Sequence, residues 1–259
     1  MAYRLLAADE PPAFLEMRSA ARSAFVITVD HASARIPRSL DNLGLPAAEL
    51  ERHIAWDIGA LEVARRVADT LDAIVVASNY SRLVIDCNRD PQVPSSIPTI
   101  AEYTQIPGNR ELGAEEIAAR RSEIFEPYHA HLRSLLERRQ AAGQPTILIA
   151  QHSMTDVFKG ARRAMHAAVL YNRDPRFARA TLAALRRDPG VIVADNEPYF
   201  VSDESDYTIP RHGEARGLLH VEIEIRQDLI RAQAGQSEWA ARVAGALREA
   251  EQSFSESEP

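Results

Sequence analysis

The sequence holds one cysteine in 259 residues, Cys87. A single thiol excludes an internal disulfide and any cysteine-built metal cluster. Basic charge is not in excess either. The formal net charge is −7, whereas an electrostatic grip on nucleic acid needs a basic face. No apolar run reaches the length of a membrane span, and the opening stretch "MAYRLLAADEPPAFLEMRSAARSAFVITVD" carries no secretory pattern. These absences predict a cytoplasmic chain with no membrane or nucleic-acid partner. No Ser/Gly/Pro-rich linker and no internal repeat divides it, so residues 1–259 are expected to form one domain with a short polar tail, "SESEP". At 46% hydrophobic and 26% charged, the composition is that of a globular protein able to fill a core.

What is present is a series of short apolar runs: Phe25 to Asp30, Ala73 to Ser78, Leu83 to Asp86, Thr146 to Gln151, Ala167 to Asn172 and Val191 to Asp195. Runs apolar on both faces indicate strands covered on both sides. Helical patterns lie between them, over 46–72, 114–143, 174–190 and 237–254. Pro127 should kink or split the second, and Asp174-Pro175 opens the third as cap and first helical residue. Strands alternating with helices predict an α/β fold, three layers (α/β/α) around a mixed, mostly parallel sheet. Two irregular stretches, Asn88 to Gly113 and Asp195 to Gly217, are longer than ordinary connections, and such loops are often functional. The segment from Pro91 to Gly113 is either a lid or a proline-stiffened surface crossing.

In open α/β sheets, ligands gather at the carboxyl ends of strands. There the sequence places His31 after Asp30, His152 after Gln151, Asn88 and Arg89 after Asp86, and Asn196 after Asp195. One histidine at such an end is usually a loop residue. Two from separate strands, with carboxylates nearby, point to a metal site of the two-His, one-carboxylate kind. Asp57, four residues after His53, is either that carboxylate or a helix N-cap. In "LLHVEIEIRQDL", His220, Glu222, Glu224 and Arg226 alternate with aliphatics. This is either a solvent-facing edge strand or one that turns a glutamate into a cleft as general base. His129 and His131 are assigned to a helix surface, His212 to a loop, Asn109 to a turn, Arg162 to a second anion grip or a solvated surface, and Cys87 to packing.

"DHASARIP", "WDIGALEVA", "SRLVIDCNRDP", "QHSM", "DNEPY" and "VEIEIRQDLI", in this order, resemble the N-formylglutamate amidohydrolase family over roughly Phe25 to Trp239. The family is similar to zinc carboxypeptidases and to the aspartoacylase and succinylglutamate desuccinylase group, so the resemblance implies a zinc-exopeptidase-like sheet. It implies zinc, or another divalent metal, on His31, Asp57 and His152. The carboxypeptidase pattern sets its carboxylate three residues after the first His, where this chain has Ala34, so Asp57 takes that place. It further implies Glu224 as base with Glu222 in reserve, Asn88 and Arg89 holding a substrate carboxylate, and Arg82 or Arg163 near the oxyanion. Asn196 and Tyr199 are expected to line the cleft. The implied activity is hydrolysis of N-formyl-L-glutamate to formate and L-glutamate. The partner is a small anionic N-acyl amino acid, and the enzyme a monomer or small homo-oligomer. The rivals are an amidase or peptidase on another N-acyl amino acid or small carboxylated peptide, and a metal-free binding homologue.

Overall fold

Apolar runs must be covered on both faces, and the computed structural model, which describes residues 3–255, covers them with one seven-stranded sheet between two layers. The polar tail 256–259 lies outside the described residues. The strands are β1 (Phe14–Met17), β2 (Phe25–Val29), β3 (Ile74–Ser78), β4 (Ile147–Met154), β5 (Ala167–Leu170), β6 (Val193–Asp195) and β7 (Leu219–Arg226). Their order across the sheet is β1-β3-β2-β4-β7-β5-β6. β3, β2, β4 and β7 run parallel. β1 is antiparallel to β3, and β5, paired parallel to β6, is antiparallel to β7.

Period-two alternation divides the core between the faces. Ile27, Val75, Ile149 and Ile223 pack on one side with α1 (Ala60–Leu71), α4 (Arg176–Leu185) and α5 (Gln233–Ser255). Val26, Val76, Leu148 and Leu170 face the other side, under α2 (Ala114–Arg120), α3 (Glu126–Ala141) and the long loops. α1 buries Val63, Val67 and Leu71 on one stripe, each contributing about 1.5–3 kcal/mol by leaving water. The chain from α2 to α3 is continuous but widens to a π turn at Arg121–Phe125, just ahead of Pro127. That turn absorbs the residue whose amide hydrogen the proline lacks.

Two expectations fail here. Leu83 to Asp86 forms a buried turn, with no strand. Ser81 takes the amides that a ladder would need: its Oγ accepts from Leu83 N at 3.1 Å and its carbonyl from Val84 N at 2.9 Å. The run is apolar because it is a loop inside the core, with Leu83 and Val84 fully buried. The helix expected from residue 46 makes one turn at Ala47–Leu50 and starts again only at Ala60. Gly59 is the N-cap with φ +80°, and a Cβ there would lie 2.4 Å from the Ile230 carbonyl oxygen.

The loop layer has its own anchor. Arg120, fully buried, donates to the carbonyls of Val84 and Gly108 and to Asn109 Oδ1. Asn109 Nδ2 in turn donates to the carbonyls of Leu83 and Pro98, at 2.8 and 2.7 Å. The turn residue read from the sequence is thus also a clamp.

Candidate active site

The parallel strands β2 and β4 deliver two histidines to one sheet edge. His31 follows β2 after one residue, Asp30, and His152 lies within β4, which runs three residues further than the sequence pattern suggests. Asp57 joins them from the turn before α1, where its backbone N–H donates to the His31 carbonyl at 2.9 Å. Its carboxylate caps no helix amide. Instead Asp57 Oδ2 meets His31 Nδ1 at 3.2 Å and His152 Nδ1 at 2.8 Å. All three side chains are buried, and one ligand atom from each lies within 4.8 Å of the other two. His53 stays apart, turned to Glu102 at 3.6 Å.

The opposite nitrogens of both rings also face carboxylates. His31 Nε2 is 2.7 Å from Asp86 Oδ1, and His152 Nε2 is 3.5 Å from Asp30 Oδ2. For His31 the contact to Asp86 is the shorter, which places the ring proton on Nε2 and turns Nδ1 to Asp57, whereas His152 meets Asp57 through Nδ1 and its Nε2 makes no hydrogen bond among the described residues. Two imidazoles and one carboxylate thus converge on one buried point. This donor set fits a divalent metal with oriented histidine ligands. The electrostatics agree. Burial lowers the proton affinity of His31, but Asp86 and Asp57 outweigh it and raise it overall. Burial likewise opposes the charge on His152, yet Glu222, Asp30 and Asp57 raise its pKa well above the usual value. Tyr128 Oη donates to Asp30 Oδ1 at 2.6 Å, and Arg82 donates to Asp86 Oδ2 through Nε and Nη2. Sequence reasoning gave no role to Asp30, Asp86 or Tyr128. The only signal was an aspartate immediately before His31.

β7 is an inner strand between β4 and β5, and its polar face is not solvated. Glu224 lies opposite His152 in the register and Glu222 opposite Ala150, one step deeper. Both are buried, and Oε2 of each has no hydrogen-bond partner among the described residues. Burial raises both pKa values, Glu222 to about 8. The two glutamates, the His–Asp–His group, Arg82, Asn88 and Arg89 all line one cavity of about 620 Å³. Arg89 Nη1 donates to Asp206 Oδ1 at 2.7 Å, and Asn88 Oδ1 accepts the amides of Tyr207 and Thr208. Both irregular stretches contribute walls: Ser95, Pro98 and Glu102 from one, Tyr199, Phe200 and Asp206 from the other.

Other placements differ from expectation. Asn196 is not at the cavity. β6 runs opposite to β4, so its end points away from the histidine edge, and the Asn196 side chain accepts from Tyr171 N. Arg163 is absent from the lining as well. It donates to the Thr155 carbonyl and to Tyr199 Oη, so it holds a wall residue. Arg162 is exposed on a small hairpin away from the cavity. His129 is buried instead of on a helix surface. Its Nε2 donates to the Cys87 carbonyl at 2.8 Å, which leaves Nδ1 to accept from His212 Nε2 at 3.0 Å. His131 is partly buried against Phe14 and pairs with Glu16. Cys87 is packed, and burial pushes its thiol pKa up.

No helix among the described residues is long and apolar enough to cross a membrane. No curated protein matches the chain. Among solved structures, a gene product of Agrobacterium tumefaciens is similar at 36% identity and TM-score 0.94, over 97% of this chain and 100% of that one. An N-formylglutamate amidohydrolase from Ralstonia eutropha JMP134 shares the fold at 20% identity and TM-score 0.70, over 95% of this chain and 100% of that one. The family model described as N-formylglutamate amidohydrolase matches residues 23–231, and the chain accordingly belongs to that family of hydrolases acting on amide C–N bonds.

Proposed function

We propose that the protein is a metal-dependent amidohydrolase that splits an N-acyl amino acid into its acid and its free amino acid, N-formyl-L-glutamate being the family's reference substrate. One observation carries the reading. One ligand atom each of His31, Asp57 and His152 lies within 4.8 Å of the other two, beside a buried glutamate in the same cavity whose Oε2 has no hydrogen-bond partner among the described residues.

His31 Nδ1, His152 Nδ1 and Asp57 Oδ2 would hold the ion, zinc by this donor set. Bound there, it would lower the pKa of a water and polarise the amide carbonyl. Asp86 fixes the His31 ring from behind, Asp30 lies 3.5 Å behind His152 Nε2, and Arg82 and Tyr128 hold these two aspartates. Glu224 is the proposed base, because it lies level with His152 whereas Glu222 lies one step deeper. Its carboxylate takes the proton of the attacking water and returns it to the leaving nitrogen. The pKa of Glu224 is raised, first by burial, which makes its carboxylate a stronger proton acceptor than an exposed glutamate. Burial raises the Glu222 pKa to about 8, so it holds a proton more readily than an ordinary glutamate and is the poorer base of the two by position. Arg89 meets the substrate carboxylate with the nitrogens that Asp206 does not engage. Arg82 Nη1, 3.7 Å from Asp57 Oδ1 and on the cavity wall, would stabilise the oxygen that gains charge.

The test is metal analysis and turnover of the same preparation. Protein purified without chelator should carry close to one divalent ion per chain and release free amino acid from N-acyl substrates. Chelation should abolish turnover, and zinc, cobalt or nickel should restore it. A protein with no metal and no rescue would overturn the reading.

A further inference from the structure

The cavity lining is of two unlike kinds. One is polar, with Arg89 paired to Asp206 and Glu222 nearby. The other is aromatic, built by Phe158, Pro198, Tyr199 and Phe200. Along the chain, each kind follows a different member of the histidine pair. Asp86, which holds His31, leads within three residues to Arg89. His152 leads within three residues to Thr155, whose carbonyl holds Arg163.

The aromatic lining is rigidly built. The Arg163 guanidinium lies over the Phe158 ring at 5.3 Å and the Tyr199 ring at 4.8 Å, and it also bonds Tyr199 Oη. A cation between two rings holds them in place at modest entropic cost. The wall is nevertheless bare, with Phe200 67% exposed and Tyr199 39%. Tyr103 and Ile100, 68% and 50% exposed, do not line the cavity themselves but stand on the hairpin that supplies Ala101 and Glu102 to it. Exposed apolar surface gathered at a cleft marks a binding site more often than chance exposure does. A formyl group has almost no apolar surface to bury there. The cavity of about 620 Å³ also lies mid-range for ligands well above the size of one formylated amino acid.

We propose that the amide cleaved here carries a bulky, aromatic acyl group, so that the substrate class is the N-aroyl or N-arylacyl amino acid. This rests on the amidohydrolase reading above. The amino-acid carboxylate meets Arg89, the amide carbonyl sits at the His–Asp–His group, and the acyl ring packs on Tyr199 and Phe200. Water adds its oxygen to the acyl carbon, the C–N bond breaks, and the nitrogen leaves with the proton carried by Glu224. The products are an aromatic carboxylic acid and a free amino acid.

The experiment compares kcat/KM of the metal-loaded enzyme on N-benzoyl-L-glutamate, N-formyl-L-glutamate and N-formyl-L-phenylalanine. Calorimetry of the first two on the Glu224→Gln protein adds a readout free of chemistry. Benzoyl-glutamate should exceed formyl-glutamate by about tenfold or more in both measurements. Phe200→Ala should cut that ratio about fivefold, with an unchanged circular-dichroism spectrum. Formyl-glutamate as good as the benzoyl compound, formyl-phenylalanine as the best of the three, or a ratio indifferent to Phe200→Ala would each overturn this inference and leave the amidohydrolase reading standing. Tight benzoyl-glutamate binding with no cleavage of any amide would do the reverse.

Discussion

The two faces of β7 separate stability from chemistry. Val221, Ile223 and Ile225 are fully buried against the layer of α4 and α5, with their apolar surface matched by apolar neighbours. His220, Glu222 and Glu224 are nearly as buried on the other face, yet each leaves one side-chain nitrogen or oxygen without a partner among the described residues. Unpartnered polar atoms destabilise a fold. Their concentration on one side of one strand shows where the fold gives up stability to hold reactive groups ready.

Substitutions can break this division, starting with the largest effect. Glu224→Gln keeps shape and burial but removes the proposed proton carrier, so kcat should fall roughly 10³-fold while the melting temperature stays or rises. Full activity with metal still bound would mean that another group moves the proton. On the aliphatic face, Ile223→Ala should cost about 2–5 kcal/mol of unfolding free energy, read by denaturant titration, with little change in kcat. A comparable loss of kcat would show that the faces are not separable.

Glu222 sharpens the contrast through pH. Its folded pKa of about 8 lies above its ordinary value of 4.5, with burial as the main cause. Between those values the unfolded chain ionises this carboxyl while the folded chain keeps the proton. Stability is therefore full below the unfolded pKa and falls as pH rises toward 8. Chelator-treated Glu222→Gln should remove that fall and gain about 3–4 kcal/mol over the parent at pH 8 relative to pH 5. Parallel pH profiles for the two proteins would refute this. The smallest effect is expected at Tyr128→Phe. It deletes one buried donor to Asp30, so about 1–2 kcal/mol of stability should go, and metal affinity should weaken if Asp30 orients His152.

The sequence exposes groups that sit where a strand must end and hides those that act through neighbours. His31 and His152 are visible because strand ends gather ligands, and the glutamates of β7 because period-two alternation cannot be mistaken for helix. Asp57 is visible only as an alternative to an N-cap, and Gly59 turns out to hold that position. Asp86 bonds one histidine and Asp30 lies behind the other, with no spacing of their own to mark them. Asn196 misleads because the direction of β6 depends on pairing across the sheet, which no local pattern encodes. The Leu83 to Asp86 run misleads because apolar content reports burial and not conformation. The Phe158, Tyr199 and Phe200 wall leaves no periodic trace, since its residues come from a hairpin and a loop.

The Arg120 clamp bears on how this site can change over time. It fixes the turn at Leu83 and Val84 and the far end of the cavity loop at Gly108 and Asn109. Between those fixed points the chain makes a two-residue-per-strand hairpin, Ile100–Ala101 with Thr104–Gln105, whose tip faces solvent at Tyr103. Asp86 lies inside the same clamped stretch, where its N–H donates to the Ser96 carbonyl at 2.7 Å. A change in the length of this wall is therefore also a change at the carboxylate behind His31.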